Sequence, residues 1–499
     1  MKTNQLPSKL KSGLIYYIIG SGILFNLLFI FIIAYGFFKI NQLGVSFETV
    51  ANKAADKVSF QMPVLANLIR QYTQETDDDW IIDVANIDEW SIKGAASIDG
   101  LEERDDGIPN RNYKKIRVSN TKEFLNALEI VKAGQTIVLN PGVYKIKRRT
   151  INVGHAGTSD KPIFVTGDRL GVVTIELDTI EGFYIDKSFW VFENLKIKGV
   201  CSSDSNCEHA FHVVGRGNGV VVQNNIITDF NAAIKANGVK EGKDFYYPDN
   251  GLVKGNTFYN STIRDTDNPV TVLDIVGVND WVASDNFISD FVKGKGDKVS
   301  YAAFFKGNGF RNTFERNLII CRLNLKPESG AQVGLSFGGG GTSLSSCRNQ
   351  QCDVENTSGV IRHNLVMNCD DVAIYLNKSK DVEIYNNTLI NTLGIDVRFP
   401  QSSAVIANNF LTGRVKNRNG GSNQSMNNVV VDLDDVNKFF ENPLIGDFTL
   451  KNRASVVGRG VDLQSKEKGF CGTMRGPENV DIGAFEYGVT NNICNPFRM

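Results

Sequence analysis

The sequence predicts an all-β solenoid in which each repeat is one coil of parallel strands, and three observations lead there. An asparagine opens a short apolar run eight times, at Asn194, Asn225, Asn256, Asn286, Asn317, Asn364, Asn387 and Asn409, with successive gaps of 31, 31, 30, 31, 47, 23 and 22 residues. The phrases around them repeat as well: VFENLKI, VQNNIIT, VKGNTFY, ASDNFIS, FERNLII, IRHNLVM, IYNNTLI and IANNFLT. Their content is strand-like rather than helical, and that content at this period marks a stacked solenoid. Asparagine suits such a place because it tolerates the left-handed conformation of a sharp corner, and stacked amides bond from coil to coil. Composition agrees: 47 glycines against 12 prolines suit many tight corners, and 42% hydrophobic content over 499 residues allows a large core. The net charge of −1, from 54 basic and 55 acidic residues, argues against a nucleic-acid binder held by a basic field.

The elements follow in order. Residues 1–11 form a short tail, and no charge interrupts 12–38 (SGLIYYIIGSGILFNLLFIFIIAYGFF). At about 1.5 Å per helical residue this run reaches roughly 40 Å, enough to span a bilayer with some tilt. Signal-peptide cores are shorter, and no small-residue cleavage site follows, so one uncleaved transmembrane anchor is expected. Lys2, Lys9 and Lys11 precede the span, against Lys39, Lys53 and Lys57 after it, a slight bias toward a cytoplasmic N-terminus. In a bacterium the body then lies in the periplasm, on a single-pass inner-membrane protein. Residues 39–115 read as stalk and connector, with Val50, Ala54, Val58, Met62, Leu65 and Ile69 at helical spacing. TKEFLNALEIVKA, 121–133, after Ser119 and Asn120, reads as a capped amphipathic helix that plugs the open end of the solenoid. Residues 116–490 form the coils, with an insertion at 338–358 and a last strand expected in DIGAFEYG, 481–488; residues 491–499 are a tail.

Eight cysteines suit four disulfides in an oxidising compartment. Cys201 and Cys207 bracket one short polar loop, Cys347 and Cys352 another, and Cys471 and Cys494 the C-terminal tail. Cys321 and Cys369 follow Asn317 and Asn364 by four and five residues, which places them on neighbouring coils. No paired zinc-ligand spacing is present.

The run GQTIVLNPGVYK, 134–145, then HAGTSDKPIFVTG and the asparagine ladder, resembles the pectin-lyase-like β-helices. The opening is most similar to polysaccharide lyase family six, the chondroitinase-B and alginate-lyase group, and DIGAFEY resembles the end of many secreted bacterial β-helix proteins. The resemblance covers roughly residues 116–490 and implies a single-stranded, right-handed parallel β-helix. It also implies a lyase that removes the proton beside a uronate carboxylate and eliminates the glycosidic oxygen. The family carries a catalytic lysine on one coil and an arginine on the next. AAFFKGNGFRNTFERN puts Lys306 at the lysine, while QVGLSFGGGG puts Ser336 where the arginine is expected. The family's calcium ligands, one Asn and two Glu, have no assignable counterparts, and the motifs of β-helix hydrolases and alginate epimerases are missing.

A second strand per coil aligns as AFHVVG, AIKANG, VLDIVG, FFKGNG, GLSFGG, AIYLNK and DVRFPQ. Alternation turns Phe211, Ile234, Leu273, Phe305, Leu335, Ile374 and Val397 inward and their followers outward. The expected outward stripe is therefore His212, Lys235, Asp274, Lys306, Ser336, Tyr375 and Arg398, roughly 30 Å long at about 4.8 Å per coil, comparable to several sugar units. Any solvated face carries polar residues, so the stripe is equally a charge-compensated ladder. Read as a site for an acidic polysaccharide, Lys306 is the family-guided base, and His212, Lys235 and Ser336 bind substrate. Asp274 on the adjacent coil raises a lysine's pKa, an objection that a bound cation such as calcium at Asp274 would remove. Tyr375 is the rival base or acid, with Arg398 beside it. Tyr375 is also the stripe's single aromatic. His155, His209 and His363 read as structural. The alternative class is a non-catalytic glycan-binding or structural β-helix.

Overall fold

The computed structural model describes residues 113–489 apart from 328, 340, 452–454, 464–466 and 476–479, with scattered residues between 51 and 69. The expected span at 12–38, both tails and Cys494 lie outside the described residues. Among the described residues no helix is long and apolar enough to cross a membrane. Ala51, Ala54, Ala55, Val64, Leu65, Ala66, Leu68 and Ile69 are helical, as the stalk spacing suggests, but Ala51, Ala55 and Ala66 are buried while Met62 and Leu65 are exposed.

Each full coil contributes three short strands, one to each of three parallel sheets of 12, 10 and 11 strands. The repeated phrase is itself two strands meeting at a corner, as in Val221–Gln223 and Ile226–Thr228 on either side of Asn224 and Asn225. The left-handed residue at that corner is the one before the ladder asparagine. Asn224, Gly255, Asp285, Arg316, His363, Asn386 and Asn408 have φ of 50°, 61°, 56°, 53°, 55°, 54° and 55°. Asparagine is thus selected at the ladder for its amide and not for its backbone. Each ladder Nδ2 donates to the Oδ1 of the next at 2.8–3.1 Å, from Asn225 through Asn256, Asn286, Asn317, Asn364, Asn387 and Asn409 to Asn428. Asn194 stands one position early, in the left-handed column, where its Oδ1 accepts from Asn224 Nδ2 at 2.6 Å. Leu195 holds the ladder place on that coil and donates its N–H to Asn225 Oδ1.

Asn256→Ala measures the ladder. Asn256 accepts from Asn225 N and Nδ2 at 3.0 and 3.1 Å, and donates to Val222 O and Asn286 Oδ1 at 2.8 and 3.0 Å, all buried. Asn225 Nδ2 keeps Phe192 O and Gln223 O, and Asn286 Oδ1 keeps the backbone N of residue 256, so two groups lose their bond to this side chain; at about 1–3 kcal/mol each, a loss of at least about 2 kcal/mol is expected in denaturant unfolding. A loss below about 1 kcal/mol would contradict the ladder's stabilising role.

Helix Thr121–Ile130 closes the N-terminal end as expected. Asn120 Oδ1 caps the helix by accepting from Glu123 N at 3.0 Å, and Glu123 Oε2 reaches back to accept from Ser119 N at 2.8 Å, one residue before the cap. Phe124, Ala127 and Leu128 are buried, and Phe124 meets Tyr144 and Phe183 edge-on. The segment 481–488 departs from expectation. It forms no strand but lies along the outer face of the 11-stranded sheet, where Gly483 N donates to Asn408 O and Ala484 N to Thr388 Oγ1. That face is apolar at Leu318, Leu365, Ile390 and Phe410, and Phe440, Phe448 and Phe485 cover it. Disulfides join Cys201–Cys207, Cys321–Cys369 and Cys347–Cys352, and Cys471 is disulfide-bonded.

Candidate functional site

The 10-stranded sheet carries the predicted stripe, with two corrections of register. His212 pairs with Lys235 and Lys235 with Asp274, as expected. Asp274 then pairs with Phe304, and Lys306 with Val276. Farther along, Ser336 pairs with Tyr375, Tyr375 with Asp396, and Arg398 with Asn377. The outward column is therefore His212, Lys235, Asp274, Phe304, Ser336, Tyr375 and Asp396. Lys306 and Arg398 belong to the next outward column, two residues on, with Asn237, Val276, Gly338 and Asn377. Lys306 is displaced by matching FFKGNG on its second glycine, and Arg398 by starting its run at Asp396 in place of Gly394. Gly277 and Gly307, both left-handed at φ 71° and 76°, are the true pair, and that glycine column could have set the register.

A third column arises because alternation fails at a corner. Ala210 and Phe211 are both in the core, as are Val272 and Leu273, Ala302 and Ala303, and Ala373 and Ile374. Two consecutive inward residues turn the residue before them out, beside the one three later. Tyr301, Val333, Val372 and Leu393 thus pack with Tyr375 outside the core, and the Tyr301 and Phe304 rings lie 5.6 Å apart. Tyr375 is not the only aromatic here, as the stripe reading had it. The same corner brings His209 beside His212, ring centroids 5.0 Å apart, where strict alternation had separated them.

Electrostatics sort the candidates. Lys235 Nζ donates to Asp274 Oδ2 at 2.5 Å, so the two compensate each other. Asp274 brings a single carboxylate here, facing Lys235 and Lys306, and calcium takes six to eight oxygens. That donor set does not fit calcium. Lys306 Nζ lies 4.2 Å from the centroid of the Phe304 ring. Gly339 approaches so closely that a Cβ there would lie 3.3 Å from Phe304 and 3.5 Å from Lys306. Burial pulls the Lys306 amine below its ordinary pKa even though Asp274 pulls it upward. Burial thus outweighs the upward pull of Asp274 on this amine.

Ser336 is fully buried, and its hydroxyl donates to the carbonyls of Gly338 and Tyr375, so it cannot serve as the exposed substrate ligand first expected. Tyr375 Oη receives N–H bonds from Arg398 Nη1 and Asn377 Nδ2, each at 3.2 Å. Asn377 had no place in the sequence reading. The insertion borders the same groove: Glu355 Oε2 accepts from Gly307 N at 2.6 Å, and Arg348 reaches Gly277 O and Asp249. His363 is buried and held neutral down to about pH 4, in keeping with a structural role. Burial likewise lowers His209 to about 4.

This chain has the architecture of a pectin-lyase-like parallel β-helix protein. A solved pectate lyase, Pel9A, superposes with a TM-score of 0.54 at 14% identity, over 77% of this chain and 98% of that one. At that identity the likeness shows the fold alone. A rhamnogalacturonan lyase (TM-score 0.43, 14% identity, 74% of this chain and 92% of that one) and a family-six polysaccharide lyase from Pseudopedobacter saltans (0.32, 15%, 68% and 96%) are more distant. No protein-family model and no curated protein matches the chain.

Proposed function

We propose that the protein is a polysaccharide lyase acting on a uronate polymer by β-elimination. One observation carries the reading. The outward groove holds an amine kept below its usual pKa, Lys306, and a phenol, Tyr375, whose oxygen receives N–H bonds from Arg398 and Asn377. Lys306 and Tyr375 are two coils apart, roughly 10 Å along the axis, with the side-chain-free Gly338 level between them. A uronate at that level would place its carboxylate toward the Arg398 guanidinium. Neutral Lys306 would take the proton at C5, the C4–O bond would break as the C4–C5 double bond forms, and Tyr375 would protonate the leaving oxygen.

The test is direct. The purified chain, with and without calcium, is incubated with alginate, pectate, chondroitin and heparan, and new unsaturated ends are followed by ultraviolet absorbance. Absorbance growing on one polymer is expected. Silence on all four favours the second reading, a non-catalytic glycan-binding or structural β-helix, for which the closed Lys235–Asp274 pair and buried Ser336 speak. We also propose an anchored protein whose body lies in the periplasm, in keeping with its disulfides. Protection of that body from protease in intact spheroplasts would contradict this.

A further inference from the structure

Glu181, His209 and His212, away from Lys306 at the other end of the groove, bring three ligand atoms within 4.8 Å of one another. Asn237 sets their electronics. Its Nδ2 donates to Gly238 O at 3.0 Å, which turns its Oδ1 toward His212 Nε2 at 2.7 Å. Nε2 therefore carries a proton, and in a neutral ring the lone pair sits on Nδ1. That nitrogen faces Glu181 Oε2 at 2.5 Å. In that neutral tautomer two electron-pair donors face each other, and either a shared proton or a metal cation between them makes the contact favourable. His209 adds a buried Nδ1 with no hydrogen-bond partner.

We propose that Glu181, His209 and His212 bind a divalent transition cation of the zinc class. Two imidazoles and one carboxylate suit such an ion and not calcium, which prefers an all-oxygen shell. Ligand distances of about 2.0–2.2 Å would part Glu181 and His212 to roughly 3 Å, a small side-chain adjustment. Asn237, on the far nitrogen of His212, orients the ring as outer partners of metal-bound histidines do. Three protein ligands leave a position for water or an anionic oxygen. The proposal is independent of the lyase reading.

Cobalt(II) titration of the purified full-length chain tests it. One equivalent is expected to produce visible d–d absorption that zinc abolishes and calcium does not. His209→Ala and Glu181→Gln are each expected to weaken binding at least about tenfold, and Asn237→Leu, which keeps all three ligands, by about ten- to a hundredfold. Circular dichroism verifies that each variant is folded. No cobalt binding by the folded wild-type chain would overturn the proposal. So would binding that persists unchanged in a folded His209→Ala/His212→Ala variant.

Discussion

Lys306→Ala is expected to lower turnover on the cleaved polymer by at least about a hundredfold, the usual scale for losing a general base. The basis is the burial that draws this amine below its ordinary pKa. The pH dependence carries the sign. Only the neutral amine can take a proton, so kcat/KM should rise with pH and level off once Lys306 has lost its own. The midpoint should lie below 10.5, the usual lysine value. Lys306→Arg keeps the positive charge but cannot deprotonate at working pH, so it should be as inactive as alanine. If arginine restores turnover, Lys306 acts as a fixed charge and the base lies elsewhere.

Tyr375→Phe should lower kcat by about a hundredfold while leaving KM nearly unchanged, because the ring that packs on Tyr301 and Val333 remains. Arg398→Ala should differ, raising KM as well, since the guanidinium is assigned to the substrate carboxylate in both ground state and transition state. Steady-state kinetics on the polymer found by absorbance separate these outcomes. If Tyr375→Phe abolishes turnover while Lys306→Ala keeps it, the Tyr375–Arg398 pair performs the chemistry and the family-guided lysine does not. If both variants keep full rate, the groove is not the active site.

Much of the site's outline was legible, and the errors have identifiable causes. Tyr375 and Arg398 were paired from sequence, and the structure joins them by a hydrogen bond although they stand in different columns. Lys306 stands on the expected sheet face, but its register is displaced by two residues because FFKGNG offers two glycines and only one is the corner. Tyr301 and His209 were hidden because strand alternation was assumed to hold, whereas consecutive core residues such as Ala210 and Phe211 break it at the bend. Ser336 was misplaced for a different reason. Outward position on a strand does not ensure exposure, and Ser336 is fully buried with its hydroxyl held by backbone carbonyls.

The sequence by itself determined the solenoid, its coil-by-coil asparagine ladder, the helical plug and the three described disulfides. Each rests on local or strictly periodic information: a repeated phrase, N-cap residues before an amphipathic run, a pair of cysteines at short range or equal phase. The tertiary structure alone decided which side chains meet across the groove, that burial outweighs Asp274 in setting the Lys306 amine, and that 481–488 covers a sheet face in place of adding a strand. Those outcomes depend on register and on what packs over each residue. A one-dimensional period carries neither, because desolvation and donor–acceptor geometry are set by neighbours a whole coil away in sequence.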